Sequence, residues 1–151
     1  MEIVVNEWLL DYMCPNSDSN KTTMAIQFIN AVVKKCDKIV IRRPSPFVSK
    51  FYRYMKEFGW DPKFKERYKK LNQLLFLNSD KVIIADNIDI EKLPKEVRKK
   101  IPNDDRYLIE LAYFSKDKII VTTDERLKEK LRDEDNLKVC LPEEFFKEYL
   151  S

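Results

Sequence analysis

Histidine is absent from this 151-residue chain, and its absence excludes several classes of catalytic site. An imidazole-based zinc site and a Ser-His or Cys-His nucleophile both require it. Cysteine occurs only at positions 14, 36 and 140, without a CxxC pair, so we expect free thiols in a reducing cytosol. No stretch approaches the roughly 18–20 apolar residues of a membrane span, and the first ten residues resemble no signal peptide. The sequence therefore predicts a soluble, cytoplasmic protein without a membrane partner.

Glycine is nearly absent as well: it occurs once, at Gly59, whereas charged residues make up 36% of the chain. Abundant Lys and Glu with tight loops are compatible with a thermophilic source, although nine asparagines argue mildly against it. The length predicts a single domain over residues 1–151 that needs no disulfide to hold its core.

The net charge of +3 is unevenly distributed. Residues 42–70 hold ten basic and three acidic side chains, a local balance of +7, whereas residues 120–151 hold six basic and nine acidic ones, a balance of −3. A basic region of this kind indicates a polyanionic partner. The alternative is a solvated helix face with no partner.

Hydrophobic periodicity predicts strands that alternate with helices. The predicted strands are Glu2–Val5, 38–41, 81–85, 118–122 and 137–141, and the predicted helices are 22–36, 45–58, 62–75, 91–100, 104–115, 124–132 and a last one from Pro142. We expect N-caps at Thr22 or Thr23, at Asp61 and at Asp124, and a helix stop at Gly59. Helices between strands imply a three-layer α/β/α sandwich around a mostly parallel sheet of about four to five strands.

Acidic residues stand where such a fold binds ligands. Asp104 and Asp105 open a predicted helix, and Asp124 follows a predicted strand. The carboxyl ends of parallel strands form the crevice in which ligands bind, and carboxylate oxygens suit Mg²⁺ or Mn²⁺. Asn6, at the end of the first strand, stands where a third carboxylate would be expected. For each acid alone, helix capping is the alternative explanation.

Four segments resemble the motifs of PIN domains, the PilT N-terminal nuclease family. They are VVNEWLL (4–10), DDRYLIELA (104–112), IVTTDERL (120–127) and VCLPEEFF (139–146). The resemblance implies a three-layer α/β/α fold and metal-dependent cleavage of RNA. It implies that Asp105 and Asp124 are Mg²⁺ or Mn²⁺ ligands, that Asp104 assists, and that Asn6 replaces the first catalytic Asp. PIN domains also carry a Glu in the helix after the second strand. The position in this chain nearest to that Glu is about Lys50.

Three explanations of Asn6 remain open at this point. The protein is a degenerate, RNA-binding relative; or Glu7 or Asp11 replaces the missing ligand; or an Asp-to-Asn change was introduced to silence a nuclease. The amide oxygen of Asn6 can still serve as a ligand, but it brings no negative charge.

The basic region also contains aromatic residues, a mixture that is typical of proteins that bind single-stranded nucleic acid. We expect RNA phosphates to contact Arg42, Arg43, Lys50 and Arg53, with the first two closest to the acids. Tyr52, Tyr54 and Trp60 are the rings not required by the core spacing, so they are candidates for stacking on bases.

The leading hypothesis is a PIN-like, metal-dependent endoribonuclease with a site weakened at Asn6. The resemblance implies a homodimer, and an antitoxin or an RNA-processing assembly as a further partner. The first alternative is a catalytically inactive PIN-like module that binds RNA or takes part in an RNA-processing assembly through protein contacts. The second is a pure interaction protein, in which the acids are helix caps and the basic region is a solvated face.

Overall fold

A five-stranded parallel sheet forms the centre of the protein, which we describe from a computed structural model over residues 1–86 and 93–150. In chain order the strands are β1 (Glu2–Val5), β2 (Lys38–Arg43), β3 (Val82–Asp86), β4 (Ile119–Val121) and β5 (Lys138–Cys140). Their spatial order is β3-β2-β1-β4-β5, and every pairing is parallel.

Helices cover both faces of the sheet. One face packs against α1 (Trp8–Asp11), α2 (Ser19–Lys34), α3 (Pro46–Phe58), α4 (Pro62–Leu71) and α8 (Pro142–Tyr149), and the other against α5 (Lys95–Lys100), α6 (Arg106–Phe114) and α7 (Glu125–Lys130). Because side chains alternate along a strand, Ile3 and Val5 lie in the first core and Val4 in the second. The predicted three-layer α/β/α sandwich is confirmed.

The strand order reverses between β1 and β4. The chain adds β2 and β3 on one side of β1, then crosses over and adds β4 and β5 on the other side. Val5 is in register with Val121, so the residues that follow them, Asn6 and Thr122, emerge side by side at the carboxyl edge. Such a reversal is the place where open α/β sheets bind their ligands.

Several predicted boundaries were wrong by a few residues. Strand β2 extends to Arg43, beyond the predicted end at Ile41. Helix α2 begins at Ser19, and its N-cap is Asp18, which accepts a hydrogen bond from the Asn20 amide at 2.7 Å. The cap predicted at Thr22 or Thr23 was wrong because Thr22 is already helical and buried; its hydroxyl donates to the Tyr12 carbonyl at 2.7 Å.

Other helix ends differ for local reasons. The helix predicted from Asp104 begins as a 3₁₀ turn at Asn103–Asp105, and α-helical geometry starts at Arg106. A π-helical turn, Asn72–Phe76, follows α4 inside the predicted helix 62–75. The part of the predicted helix 91–100 at residues 91 and 92 lies outside the described residues, and α5 starts at Lys95. The caps expected at Asp61 and Asp124 and the helix start at Pro142 are confirmed.

Two expectations from composition, concerning the cysteines and membrane spans, can be compared with the structure. All three cysteines are free thiols, as predicted, with Cys14 and Cys140 buried. None of the helices in residues 1–86 and 93–150 combines the length and the apolar character that crossing a membrane requires.

Gly59 has a structural reason for its place in the chain. It ends α3 just before α4 begins, as the sequence predicted. A Cβ atom added there would lie 2.5 Å from the Met55 carbonyl oxygen, which is shorter than any normal contact. The tight connection between α3 and α4 therefore needs a residue without a side chain.

We predict that Gly59→Ala lowers the free energy of unfolding by about 1–3 kcal/mol, the usual cost of forcing an extra carbon into a packed place. Urea denaturation followed by circular dichroism would measure the change. Ser49→Ala, an exposed position in the same helix, serves as the control and should stay within about 0.5 kcal/mol of the unmodified protein. Equal stability of the two variants would contradict the steric argument.

Candidate functional site at the carboxyl edge of the sheet

Asn6 bridges the two strands at the point where the strand order reverses. Its Nδ2 donates a hydrogen bond to Thr122 Oγ1 at 2.8 Å, and its Oδ1 accepts a longer one from the Trp8 amide at 3.4 Å. Thr122 Oγ1 also accepts from the Asp124 amide at 3.1 Å. The end of β1 is thus connected through one buried hydroxyl to the loop that carries Asp124.

Trp8 holds the turn after β1 in position. Its indole Nε1 donates to the Val121 carbonyl at 2.7 Å, inside the core. Its ring packs edge-on against Phe146, with centroids 5.9 Å apart. Because the turn after β1 is attached to β4 and to the last helix, Asn6 and Glu7 are presented at a defined place.

Asp124 is a true N-cap. Its Oδ1 accepts a hydrogen bond from the Leu127 amide at 3.1 Å, which starts α7. Among the described residues no donor reaches its Oδ2. Capping therefore accounts for one oxygen of this carboxylate and leaves the second one available.

Asp105 precedes α6 but does not cap it through its side chain. Burial raises the pKa of its carboxyl group, and the negative charges of Asp124, Asp104 and Glu7 raise it further, with Lys130 opposing them only in part. The carboxylates of Asp124, Asp104 and Glu7 thus lie close enough for their charges to act on Asp105. The capping explanation fails for Asp105, in contrast to Asp124.

The two residues considered as substitutes for a missing ligand lie in different places. Glu7 stays at the acidic edge, where its Oε1 accepts a hydrogen bond from the Tyr107 hydroxyl at 3.2 Å. Asp11 instead forms an ion pair with Lys50, with 2.9 Å between Oδ1 and Nζ. The same Oδ1 accepts a hydrogen bond from the Tyr54 hydroxyl at 2.6 Å. Of the two, only Glu7 is placed to take part in the site.

The donor set suits a hard divalent cation in kind but is incomplete in number. Carboxylate and amide oxygens are the ligands that Mg²⁺ and Mn²⁺ prefer. Within the described ranges, however, no group of three or more Asp, Glu, Cys or His side chains is placed to hold a metal ion. The raised pKa of Asp105 fits a partly buried carboxyl group beside negative charges that Lys130 offsets only in part.

The predicted RNA contacts do not form one patch. Arg42 and Arg43 are the last residues of β2 rather than the loop after it, and they point to opposite faces because side chains alternate along a strand. Arg42 Nη1 lies 3.0 Å from Glu110 Oε2 of α6, and Lys50 is paired with Asp11. Arg43 and Arg53 are exposed to solvent. RNA contact by any of the four stays a prediction.

Two contacts at this edge were not predicted from the sequence. Nothing in the spacing indicated that Tyr107 would hold Glu7 across about a hundred residues. Thr122 could have been noticed, since a hydroxyl residue at the end of a buried strand beside Asp124 needs a partner.

We predict that Asp105→Asn stabilises the protein at pH 7. A raised carboxyl pKa means that folding disfavours the charged form, so the charge destabilises the protein above the folded-state pKa. This destabilisation disappears as the pH falls below about 3.9, the pKa of an Asp carboxyl group in the unfolded chain. Thermal unfolding between pH 3 and pH 8 should therefore show a higher Tm for Asp105→Asn at pH 7 and no difference at pH 3.

Asp135→Asn, a neutralised carboxylate on the exposed loop after α7, is the control for Asp105→Asn and should show no such pH-dependent gain. A lower Tm of Asp105→Asn at pH 7 would contradict the crowding of charges at this edge.

We predict that Arg42→Gln lowers the free energy of unfolding by about 1.5–3 kcal/mol, the scale of a hydrogen bond to a charged group, because Glu110 loses its partner. Arg43→Gln removes the same charge from the exposed neighbouring position and should change the free energy of unfolding by less than about 0.5 kcal/mol. Chemical denaturation measures both. Equal effects would show that the Arg42–Glu110 pair adds nothing to stability.

Comparison of the chain with family models, with curated proteins and with solved structures found no match in any of the three. The resemblance to PIN domains therefore remains a prediction from the motifs.

Proposed function

We propose that this protein is a PIN-like endoribonuclease that depends on Mg²⁺ or Mn²⁺ and is weakened at its first ligand position by Asn6. The observation that carries the proposal is the hydrogen bond from Asn6 to Thr122 at the reversal of strand order. It joins the ends of the two central strands beside a cluster of acids, at the place where α/β sheets bind ligands.

The roles of the side chains follow from their contacts. Asp105 and Asp124 would hold the cation through oxygens that accept no capping hydrogen bond, and Asp104 and Glu7 would add negative charge. Tyr107 keeps Glu7 turned toward this edge through its hydroxyl. When bound, the divalent ion supplies water activation and neutralises charge on the leaving oxygen of an RNA phosphodiester.

The hydrogen bonds around position 6 are compatible with a carboxylate there. In the present network Thr122 Oγ1 accepts from both Asn6 Nδ2 and the Asp124 amide. With aspartate at position 6, the Thr122 hydroxyl would donate to it and still accept from the amide. The substitution Asn6→Asp would therefore add one negative charge and one ligand while keeping the hydrogen bond.

The partners follow from the resemblance and from the charges. RNA phosphates would meet Arg43 and Arg53 directly, whereas Arg42 and Lys50 would have to exchange their carboxylate partners for phosphate. A homodimer, and an antitoxin or an RNA-processing assembly as a further partner, belong to the same proposal.

The second candidate is a catalytically inactive PIN-like module that binds RNA or protein. It is favoured by a specific observation: within the part of the chain that the structure describes, no three acids converge on a metal position. Asn6 also uses both ends of its amide in hydrogen bonds. On this view the edge is a remnant of a nuclease site.

Cleavage of a fluorescent single-stranded RNA in Mn²⁺ separates the two candidates. We predict that Asn6→Asp cleaves about 10–100-fold faster than the unmodified protein, the scale typical of one group in a metal site. The double variant Asn6→Asp with Asp105→Asn should return to background. Asn136→Asp, which adds the same charge on an exposed loop, is the matched control and should leave the rate unchanged.

Thermal stability gives a second measurement that does not depend on activity. At saturating Mn²⁺, a tenfold tighter site adds about 1.4 kcal/mol of stabilisation, so the Tm of Asn6→Asp should rise more with Mn²⁺ than that of Asn136→Asp. If neither Asn6→Asp nor the unmodified protein cleaves RNA above the double variant, and Mn²⁺ stabilises neither, the nuclease proposal is lost. RNA binding in that case would support the inactive module.

A further inference from the structure

The exposed face formed by α3 and α4 is the most unusual surface that the acidic edge does not involve. We call it the α3–α4 platform and define it by six residues, namely Tyr52, Met55, Lys56, Trp60, Lys65 and Lys69. Tyr52 is 64% and Trp60 74% exposed, large values for aromatic side chains. Among the described residues the Trp60 ring makes no ring contact, and the Tyr52 ring contacts only that of buried Phe51, with centroids 5.6 Å apart.

The helix geometry places these residues together. Tyr52, Met55 and Lys56 are three and four residues apart, so they share one face of α3. Trp60 follows Gly59 in the tight connection to α4, and Lys65 and Lys69 lie one turn apart on α4.

An open groove of about 450 Å³ lies between the two helices, bordered by Met55 and Gly59 on one side and by Lys65, Lys69 and Asn72 on the other. Phe64 and Tyr68 form its apolar floor. The groove thus combines an apolar base with cationic walls.

The cations of the platform are not neutralised by nearby acids. Lys56, Lys65 and Lys69 form no ion pair with any residue of 1–86 or 93–150. Of the three acids in residues 42–70, Asp61 caps α4 by accepting from the Lys63 amide at 2.9 Å. Oε1 of Glu66 lies 3.7 Å from Nζ of Lys70, and the Glu57 side chain is exposed to solvent. The surface therefore carries an excess of positive charge around two exposed rings.

We infer that the α3–α4 platform binds single-stranded nucleic acid, with bases stacked on Trp60 and Tyr52 and phosphates held by Lys56, Lys65 and Lys69. Cations alone would suit any polyanion, and exposed rings alone would suit a protein partner. Their interleaving matches a strand that presents phosphates and unstacked bases alternately. The site is distinct from the acidic edge and needs no metal, so it goes beyond the proposed function and does not depend on cleavage.

The two tryptophans make the test direct. Trp8 is buried and Trp60 is exposed, so quenching of fluorescence by an added ligand reports mainly on Trp60. A 12-nucleotide uridine oligomer titrated in EDTA should quench the emission to saturation, whereas an abasic oligomer of equal length and charge should not. A thymidine oligomer run in parallel tests whether RNA is preferred over DNA.

Fluorescence anisotropy with a labelled oligomer measures the variants. We expect Trp60→Ala to weaken binding about 5- to 150-fold, the range found when one stacked base is lost, and Trp60→Phe to retain most of the affinity. The double variant Lys65→Gln with Lys69→Gln should make the dependence of binding on salt weaker. The slope of the logarithm of the binding constant against the logarithm of salt concentration should fall in magnitude by about 1.4, since each neutralised phosphate contributes about 0.7. Lys99→Gln with Lys147→Gln removes two exposed charges from other helices and should leave the slope nearly unchanged.

Several results would overturn the inference. Equal affinity of Trp60→Ala and the unmodified protein, or equal binding of abasic and uridine oligomers, would exclude stacking. Binding of phosphatidylserine vesicles without binding of the oligomer would assign the platform to a lipid surface. Trp60-dependent self-association in sedimentation, again without oligomer binding, would assign it to a second copy of the chain. Cleavage by Asn6→Asp together with a failed titration would leave the proposed function intact.

Discussion

The parallel pairing of β1 with β4 is the constraint on which the candidate site depends. Val5 and Val121 are register partners in that pairing, and Asn6 reaches Thr122 across 116 positions of sequence just beyond it. A shift of one residue would turn Asn6 and Thr122 toward opposite faces, because side chains alternate along a strand. The indole of Trp8 fixes this register through its hydrogen bond to the Val121 carbonyl.

Electrostatics divides the molecule into two regions with different chemistry. At the carboxyl edge, burial and the negative charges of Asp124, Asp104 and Glu7 raise the pKa of the Asp105 carboxyl group. Lys130 offsets these charges only in part, and Arg42, at the end of β2, is paired with Glu110. On the α3–α4 platform the local charge is positive instead of negative. Its lysines have no carboxylate partners among the described residues. An acidic edge suits a divalent ion, and a basic surface with exposed rings suits a polyanion that carries bases.

Much of the fold could be predicted because local rules determine it. Asp61 with Pro62 and Gly59 at the end of α3 are local signals, and both act in the structure as predicted. Boundaries failed where a tertiary contact overrides the pattern. Thr22 is a good capping residue by type, but its hydroxyl donates to the Tyr12 carbonyl in the core, and Asp18 caps α2 instead. Local propensity cannot foresee a partner that only the folded chain brings near.

By itself the sequence determined the α/β class, the alternation of strands and helices, and the placement of Asp105 and Asp124 at helix starts, because these depend on periodicity and capping over a few residues. It also determined which chemistry is absent, since no histidine is available for any role. Only the tertiary structure decided that Asp105 lies among the other acids without capping its helix, that Glu7 joins the acidic edge whereas Asp11 pairs with Lys50, and that Arg42 pairs with Glu110. These outcomes depend on distances between residues far apart in the chain, which are set by strand order and register rather than by any local pattern.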